Sequence, residues 1–148
     1  MEYKQPDVVL FSSLRKNGRV SLTEMSRLTK MPISTIYEKL KRYAGGVIQK
    51  YTVLLDFQKM GYTIKVMLVL KSMQREQLLH HLEHHQNINN AYKINNGYDV
   101  LCEGLFTDIH SAEMFIQSLE QFGVCKMEVF YILSDIKREG FFAEPYFE

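Results

Sequence analysis

The chain has 148 residues, of which 46 % are hydrophobic and 24 % are charged, and these proportions are typical of a globular protein with one or two small domains. No apolar run is long enough to span a bilayer, and the first residues lack the basic-then-apolar pattern of a secretion signal. We therefore expect a cytoplasmic protein. Two cysteines, Cys102 and Cys125, are too few for a disulfide scaffold.

The charge is unevenly distributed along the chain. Residues 1–50 carry ten Lys or Arg and four Asp or Glu, a balance of +6, whereas residues 51–148 carry eight and thirteen, a balance of −5. A basic first third followed by an acidic remainder indicates that only the first part of the chain meets a polyanion.

The first 50 residues predict three helices with a shared apolar side. Asp7 is placed to cap a helix that ends near Lys16, and Ser21 with Glu24 forms a capping box for the next. Pro32 suits the first turn of the third. Apolar residues recur at helical spacing in the second and third helices: Leu22, Met25 and Leu28, then Ile36, Leu40 and Tyr43. The pattern over residues 21–43 is that of a helix-turn-helix.

The remainder of the chain predicts an apolar connector followed by an α+β domain. Residues 51–62 are interpreted as an extended connector strand, because their apolar content is high and their Gly/Ser content is low. The predicted strands are residues 64–71, 90–94, 98–106 and 124–133, and the predicted helices are residues 75–85 and 109–121. The order β-α-β-β-α-β is the ferredoxin-like arrangement. We therefore predict domains at 1–50 and 63–148.

Two features of the second domain favour self-association. The strand at residues 64–71 is apolar on both faces, so the face without helices needs a cover, and a second copy of the sheet is the simplest one. The tail over residues 140–147 carries four aromatic side chains, so we expect it to dock on its own or a neighbouring subunit.

With these elements in place, the chain resembles the Lrp/AsnC family of transcription regulators over nearly all of its length. The resemblance rests on residues 18–43, on the domain join GVIQKYTVLLDFQKMGY, and on the hairpin NNGYDVL. It implies an N-terminal helix-turn-helix domain of winged-helix type, a ferredoxin-like C-terminal domain that forms homodimers and larger rings, and small effectors, usually amino acids, between dimers. The chain differs from the usual pattern where Lys30 replaces a turn glycine and where Met127 and Val129 replace threonines.

The exposed face of the third helix supplies the candidate DNA contacts. Small hydroxyls at its start suit base edges in the major groove, and basic side chains near its end suit phosphates. The candidate DNA-binding residues are Ser34, Thr35, Tyr37, Glu38, Lys39, Lys41 and Arg42, with Arg27 and Lys30 from the preceding helix and turn.

The hairpin turn is the candidate effector site. Asn-Gly favours a tight hairpin whatever the function. Exposed groups at Asn96 and Gly97, with Tyr98 and Asp99 beside them, could hold an ammonium and a carboxylate, and the resemblance implies that this turn borders the effector site.

The histidine-rich stretch at residues 80–85 leaves alternatives open. His80 with His84, and His81 with His85, have the spacing at which two imidazoles can share a metal, but no further ligands complete a tetrahedral site, so we favour a polar outer helix face and predict no metal site or cofactor. A metal- or pH-responsive regulator remains an alternative, as does an interaction scaffold without a DNA role. No catalytic motif is found, so we do not expect an enzyme.

Overall fold

The computed structural model describes residues 3–144. The chain divides into two compact units, one made of Met1–Leu54 with Ile136–Glu148 and the other of Leu55–Asp135. The C-terminal segment from Ile136 therefore groups with the first unit, whereas we expected it in the second domain. Within the described residues, no helix has the length and apolar character needed to cross a membrane.

The first unit contains the three expected helices, α1 (Gln5–Lys16), α2 (Leu22–Thr29) and α3 (Ile33–Tyr43). Each contributes one fully or almost fully buried apolar side chain, Leu10, Met25 and Ile36, to a common core. The half-buried side chains packed around them are Leu14, Val20, Leu22, Met31, Leu40 and Tyr43. Leu28, which we expected to face inward, is exposed and does not pack against this core.

Hydrogen bonds at the helix ends confirm one expected cap and correct two others. The hydroxyl of Ser21 accepts a 3.1 Å bond from the backbone N–H of Glu24, as the capping box predicts. Pro32 lies at the N-cap of α3, one position earlier than the first turn. Asp7 lies inside the first turn of α1, after an N-cap at Lys4, because its carboxylate binds Lys39 instead of the helix backbone.

The connector does not form the expected strand. Residues 51–56 belong to no strand of the described chain, and a short 3₁₀-helix follows at Gln58–Met60. A strand requires a ladder partner, and the sheet ladders found among residues 3–144 do not include this segment. Val53 and Leu54 consequently stand exposed, at 68 % and 57 % of their full surface.

The second unit has the ferredoxin-like element order that the sequence predicts. Its elements are β1 (Ile64–Ser72), α4 (Arg75–His84), β2 (Ile88–Lys93), β3 (Val100–Phe106), α5 (Ile109–Ser118) and β4 (Val124–Tyr131). The strands pair antiparallel in the order β2-β3-β1-β4. The second helix is shorter than predicted, because its last turn tightens into a 3₁₀-helix at Leu119–Phe122 before Gly123.

One face of the sheet is covered by helices and the other is not. Val66, Leu68 and Leu70 are fully buried and pack with side chains of α4 and α5. The strand register places the alternate side chains on the opposite, open face. That face mixes apolar and charged groups in cross-strand rows: Tyr92, Leu101, Val69 and Glu128 form one row, and Asn90, Glu103, Met67 and Phe130 form the next.

The segment after the second unit docks on α1 through polar contacts. Arg15 donates 3.1 Å bonds to the carboxylate of Glu139 and to the carbonyl of Phe141, and Lys16 lies 2.8 Å from the carboxylate of Glu144. Docking of the tail on its own chain is thus seen, but Phe141 is exposed and ionic groups make these contacts. The expected aromatic contacts of Tyr146 and Phe147 lie outside the described residues.

Candidate functional site

The candidate nucleic-acid interface is the outer face of α3. Ile36 is fully buried beneath the helix, and helical periodicity therefore turns the opposite side to solvent. The side chains exposed on that side are Ser34, Thr35, Tyr37, Glu38, Lys41 and Arg42. A helix that presents two hydroxyls near its start and two cations near its end matches the shape and charge of a major-groove reader.

Lys41 and Arg42 are the two basic side chains of this face, and their charges remain available for binding phosphate. Neither makes an ion pair with another of the described residues. The Arg42 guanidinium lies 5.3 Å from the ring centre of Tyr43, which restrains its stem without neutralising its charge. Both cations occupy the last turn of α3, where the helix dipole favours positive charge.

Lys39 does not lie on this face, so it is no longer a candidate for contacting phosphate. Its ammonium donates a 2.6 Å bond to Asp7, whose carboxylate side chain is only 6 % exposed. Burial alone would raise the pKa of Asp7, but hydrogen bonds from Lys39 and Tyr43 and the charge of Lys39 hold that pKa below its ordinary value. The bond to Asp7 likewise raises the pKa of Lys39. The pair ties α1 to α3.

Arg27 and Lys30 differ in whether an acidic side chain among the described residues compensates their charge. Arg27 lies 2.5 Å from the carboxylate of Glu24 on the same helix, so its charge is partly compensated although it remains exposed. The hydrogen bond from Arg27 lowers the pKa of Glu24. Lys30 is exposed in the turn between α2 and α3, with φ 58° and ψ 22°. This left-handed conformation is the one that glycine adopts most readily.

The Asn96–Gly97 turn is formed as expected, but Asp99 has a structural role in it. Asn96 and Gly97 have φ of 64° and 84°, the left-handed pair that a tight hairpin turn requires. The Asp99 carboxylate accepts a 2.9 Å bond from the backbone N–H of Ser72 and lies 3.8 Å from Arg75. Because it holds the turn against β1, this carboxylate is a poor candidate for binding an effector ammonium.

Two charged side chains of β4 stand beside the turn and were not in the predicted site. The hydroxyl of Tyr98 is hydrogen-bonded to Glu128, and the Lys126 ammonium lies 4.2 Å from the centre of the Tyr98 ring. Lys126 and Glu128 are two residues apart and share one face of the strand. Sequence spacing shows that shared face, but only the strand register brings it next to the turn.

Comparison with known proteins finds full-length relatives. No family model matches the chain. An uncharacterised HTH-type transcriptional regulator of Pyrococcus furiosus is 26 % identical over 149 residues, which cover 98 % of this chain and all of that protein. The HTH-type transcriptional regulator FL11 of the same organism is 30 % identical over 98 residues, covering 64 % of this chain and 65 % of the relative.

Solved structures share the fold at low sequence identity. The transcriptional regulator NMB0573 of Neisseria meningitidis, crystallised with L-Met, has a TM-score of 0.85 at 19 % identity and covers 93 % of this chain and 94 % of its own. LrpC of B. subtilis has a TM-score of 0.83 at 21 % identity, with 93 % and 99 % covered. AsnC of E. coli has a TM-score of 0.81 at 14 % identity, with 93 % and 97 % covered.

A helix-turn-helix unit joined to a ferredoxin-like unit defines a two-part α+β architecture. The solved Lrp and AsnC proteins have this same fold, which confirms the fold that the resemblance to the Lrp/AsnC family implies.

Proposed function

We propose that the protein is a sequence-specific DNA-binding transcription regulator that acts by binding and not by catalysis. The observation that carries this proposal is the outer face of α3, where Lys41 and Arg42 lack acidic partners among the described residues and the hydroxyls of Ser34 and Thr35 are exposed. Phosphate contacts from the cations would set the register of the helix, and the hydroxyls and Tyr37 would meet base edges.

The names of the relatives support this reading. The full-length Pyrococcus relative and FL11 are both described as HTH-type transcriptional regulators. Such an activity also agrees with the expected cytoplasmic location, since a regulator must share a compartment with the chromosome.

We further propose that the protein works as a homodimer that joins into larger assemblies. Tyr92 and Phe130 are 55 % and 48 % exposed on the open face of the sheet, with Met67 and Val69 half-buried between them. A second copy of this face would cover its apolar groups. Two helix-turn-helix units at fixed spacing then select a palindromic site.

An amino acid is the proposed effector, bound at the Asn96–Gly97 turn. Lys126 and Glu128 present opposite charges beside Tyr98, which suits the carboxylate and the ammonium of a zwitterion. The L-Met complex of the N. meningitidis protein supports an amino acid as the class of ligand.

A thermal-shift screen over the twenty amino acids should find at least one that raises the Tm, and Glu128→Gln should abolish that rise. A screen without any shift would contradict the effector proposal and leave DNA binding untouched.

The DNA-binding proposal is tested by recovering the DNA that the protein occupies in its own cells. The wild-type protein should enrich a small set of sites that share a palindromic sequence. The double variant Lys41→Ala/Arg42→Ala should lose this enrichment while remaining folded and equally associated. Recovery of no preferred DNA by the wild-type protein would instead support an interaction scaffold.

A further inference from the structure

We propose that His80 and His84 on the outer face of α4 form a binding site for a borderline divalent transition metal such as Ni²⁺, Cu²⁺ or Zn²⁺. The two residues are one helical turn apart, and both side chains are exposed. Their ring centres lie 4.4 Å apart with the ring planes tilted by 30°, so the two imidazoles are neighbours at the i,i+4 spacing at which one ion can take a nitrogen lone pair from each ring. The proposal is independent of the DNA-binding role.

A hydrogen bond fixes which nitrogen of His84 is available. The Nδ1 atom of His84 lies 2.8 Å from the carbonyl oxygen of His80. A carbonyl oxygen can only accept, so Nδ1 carries the proton and donates it. The lone pair of neutral His84 must then reside on Nε2, which is free to bind a metal. Histidine ligands of metals in proteins are commonly held in this way by a carbonyl on the other ring nitrogen.

The second histidine pair of α4 and its C-cap provides an internal contrast. His81 and His85 have the same spacing, but their ring centres are 5.2 Å apart with the planes at 60°. Nδ1 of His85 accepts a 3.2 Å bond from the backbone N–H of Asn87, which places the proton of neutral His85 on Nε2. Nε2 of His81 is buried. Neither ring of this inner pair therefore offers an accessible lone pair on Nε2.

The ligand count defines the kind of site. Within residues 3–144 there is no group of three or more His, Cys, Asp or Glu side chains that could hold a metal. His80 and His84 therefore supply two ligands, and water fills the remaining positions of the ion. Imidazole ligands select borderline metals over Mg²⁺ and Ca²⁺, which prefer oxygen, and the expected order of affinity is Cu²⁺ above Ni²⁺ and Zn²⁺.

The test is calorimetric titration of the full-length, untagged protein with NiCl₂ at pH 7.5. One Ni²⁺ per chain should bind, and MgCl₂ should give no heat. His80→Gln and His84→Gln should each weaken binding by about tenfold or more, since loss of a ligand costs at least as much as loss of a supporting hydrogen bond.

Matched variants separate this site from other histidines. His110→Gln removes an exposed single histidine on α5, and His85→Gln removes a member of the inner pair; both should leave the Ni²⁺ affinity unchanged. Electron paramagnetic resonance of the Cu²⁺-loaded protein should show coupling to two imidazole nitrogens, and to only one in His80→Gln. Absence of binding, or binding that survives both His80→Gln and His84→Gln, would overturn the proposal.

Discussion

Lys39 and Lys41 lie two positions apart in α3, yet their ammonium groups occupy opposite environments. Lys39 turns toward α1 and binds Asp7, whereas Lys41 projects into solvent. The helical spacing contains this information, because Lys39 is three residues after the buried Ile36 and four before Tyr43. The prediction that Lys39 contacts phosphate rested on its positive charge, but its position on the helix brings it to the carboxylate of Asp7.

This difference predicts separable effects of two lysine substitutions. Lys39→Ala removes the ammonium that neutralises the buried carboxylate of Asp7 and should lower the free energy of unfolding by about 1.5–3 kcal/mol. Lys41→Ala should change it by no more than about 0.5 kcal/mol and should weaken DNA binding instead. Urea denaturation measures the first effect and a binding titration the second. Equal stability of the two variants would refute the structural role of the Asp7–Lys39 pair.

The turn before α3 contains Lys30, whose backbone conformation affects the stability of the protein. Lys30 adopts φ 58°, a conformation that costs a side chain bearing a Cβ more than it costs glycine. Lys30→Gly should therefore stabilise the protein by about 0.5–1 kcal/mol in urea denaturation. As a control, Glu38→Gly in the right-handed interior of α3 should destabilise it by about 1 kcal/mol. Destabilisation by Lys30→Gly would mean that the Lys30 side chain makes a stabilising contact.

At the scale of elements, periodicity predicted well where a helix or strand has its partners in the same unit. The sheet order follows the predicted ferredoxin-like pattern. Within the predicted extended connector strand at residues 51–62, residues 51–56 lie in no strand of the described chain, because β-prone composition favours a place in a sheet but does not supply a neighbouring strand. Lys126 and Glu128, which lie beside the Asn96–Gly97 turn, were missed for a related reason, since the sequence of one strand does not show which strand lies next to it or in what register.

The inner face of α4 predicts a pH dependence of stability. Burial lowers the pKa of His81 and of His85, and their mutual proximity lowers that of His85 further. Their rings pack on Phe115 and Phe122. The unfolded chain therefore binds these protons more readily, and the free energy of unfolding should fall as pH drops below about 6.5.

Substitution of one of these histidines tests that dependence. His81→Phe keeps an aromatic ring against Phe122 and removes a titrating group, so the loss of Tm between pH 7.5 and pH 5.5 should be smaller than in the wild-type protein. His110→Gln, which changes an exposed histidine, should leave the loss unchanged. If His81→Phe shows the full wild-type loss, burial of His81 does not govern the pH dependence.

At the scale of the whole molecule, the exposed apolar groups on the open face of the sheet underlie the proposed self-association. Phe130→Asp places a charge at the centre of the proposed face, where a dimer would bury it, and should shift the sedimenting species from dimers or larger assemblies to monomers. Ile109→Asp changes an exposed apolar side chain on the helical side and should leave the dimer intact. A wild-type protein that sediments as a monomer would contradict the proposed assembly.

The central claim is that the outer face of α3 binds duplex DNA through Lys41 and Arg42. Its most direct test is the affinity of the full-length protein for a recovered duplex, measured by fluorescence anisotropy over a range of salt concentrations. The logarithm of the binding constant should fall steeply with the logarithm of salt, and Lys41→Ala/Arg42→Ala should weaken binding and flatten the slope by roughly 1 for each phosphate contact removed. A double variant with the wild-type affinity and the wild-type slope would contradict the claim.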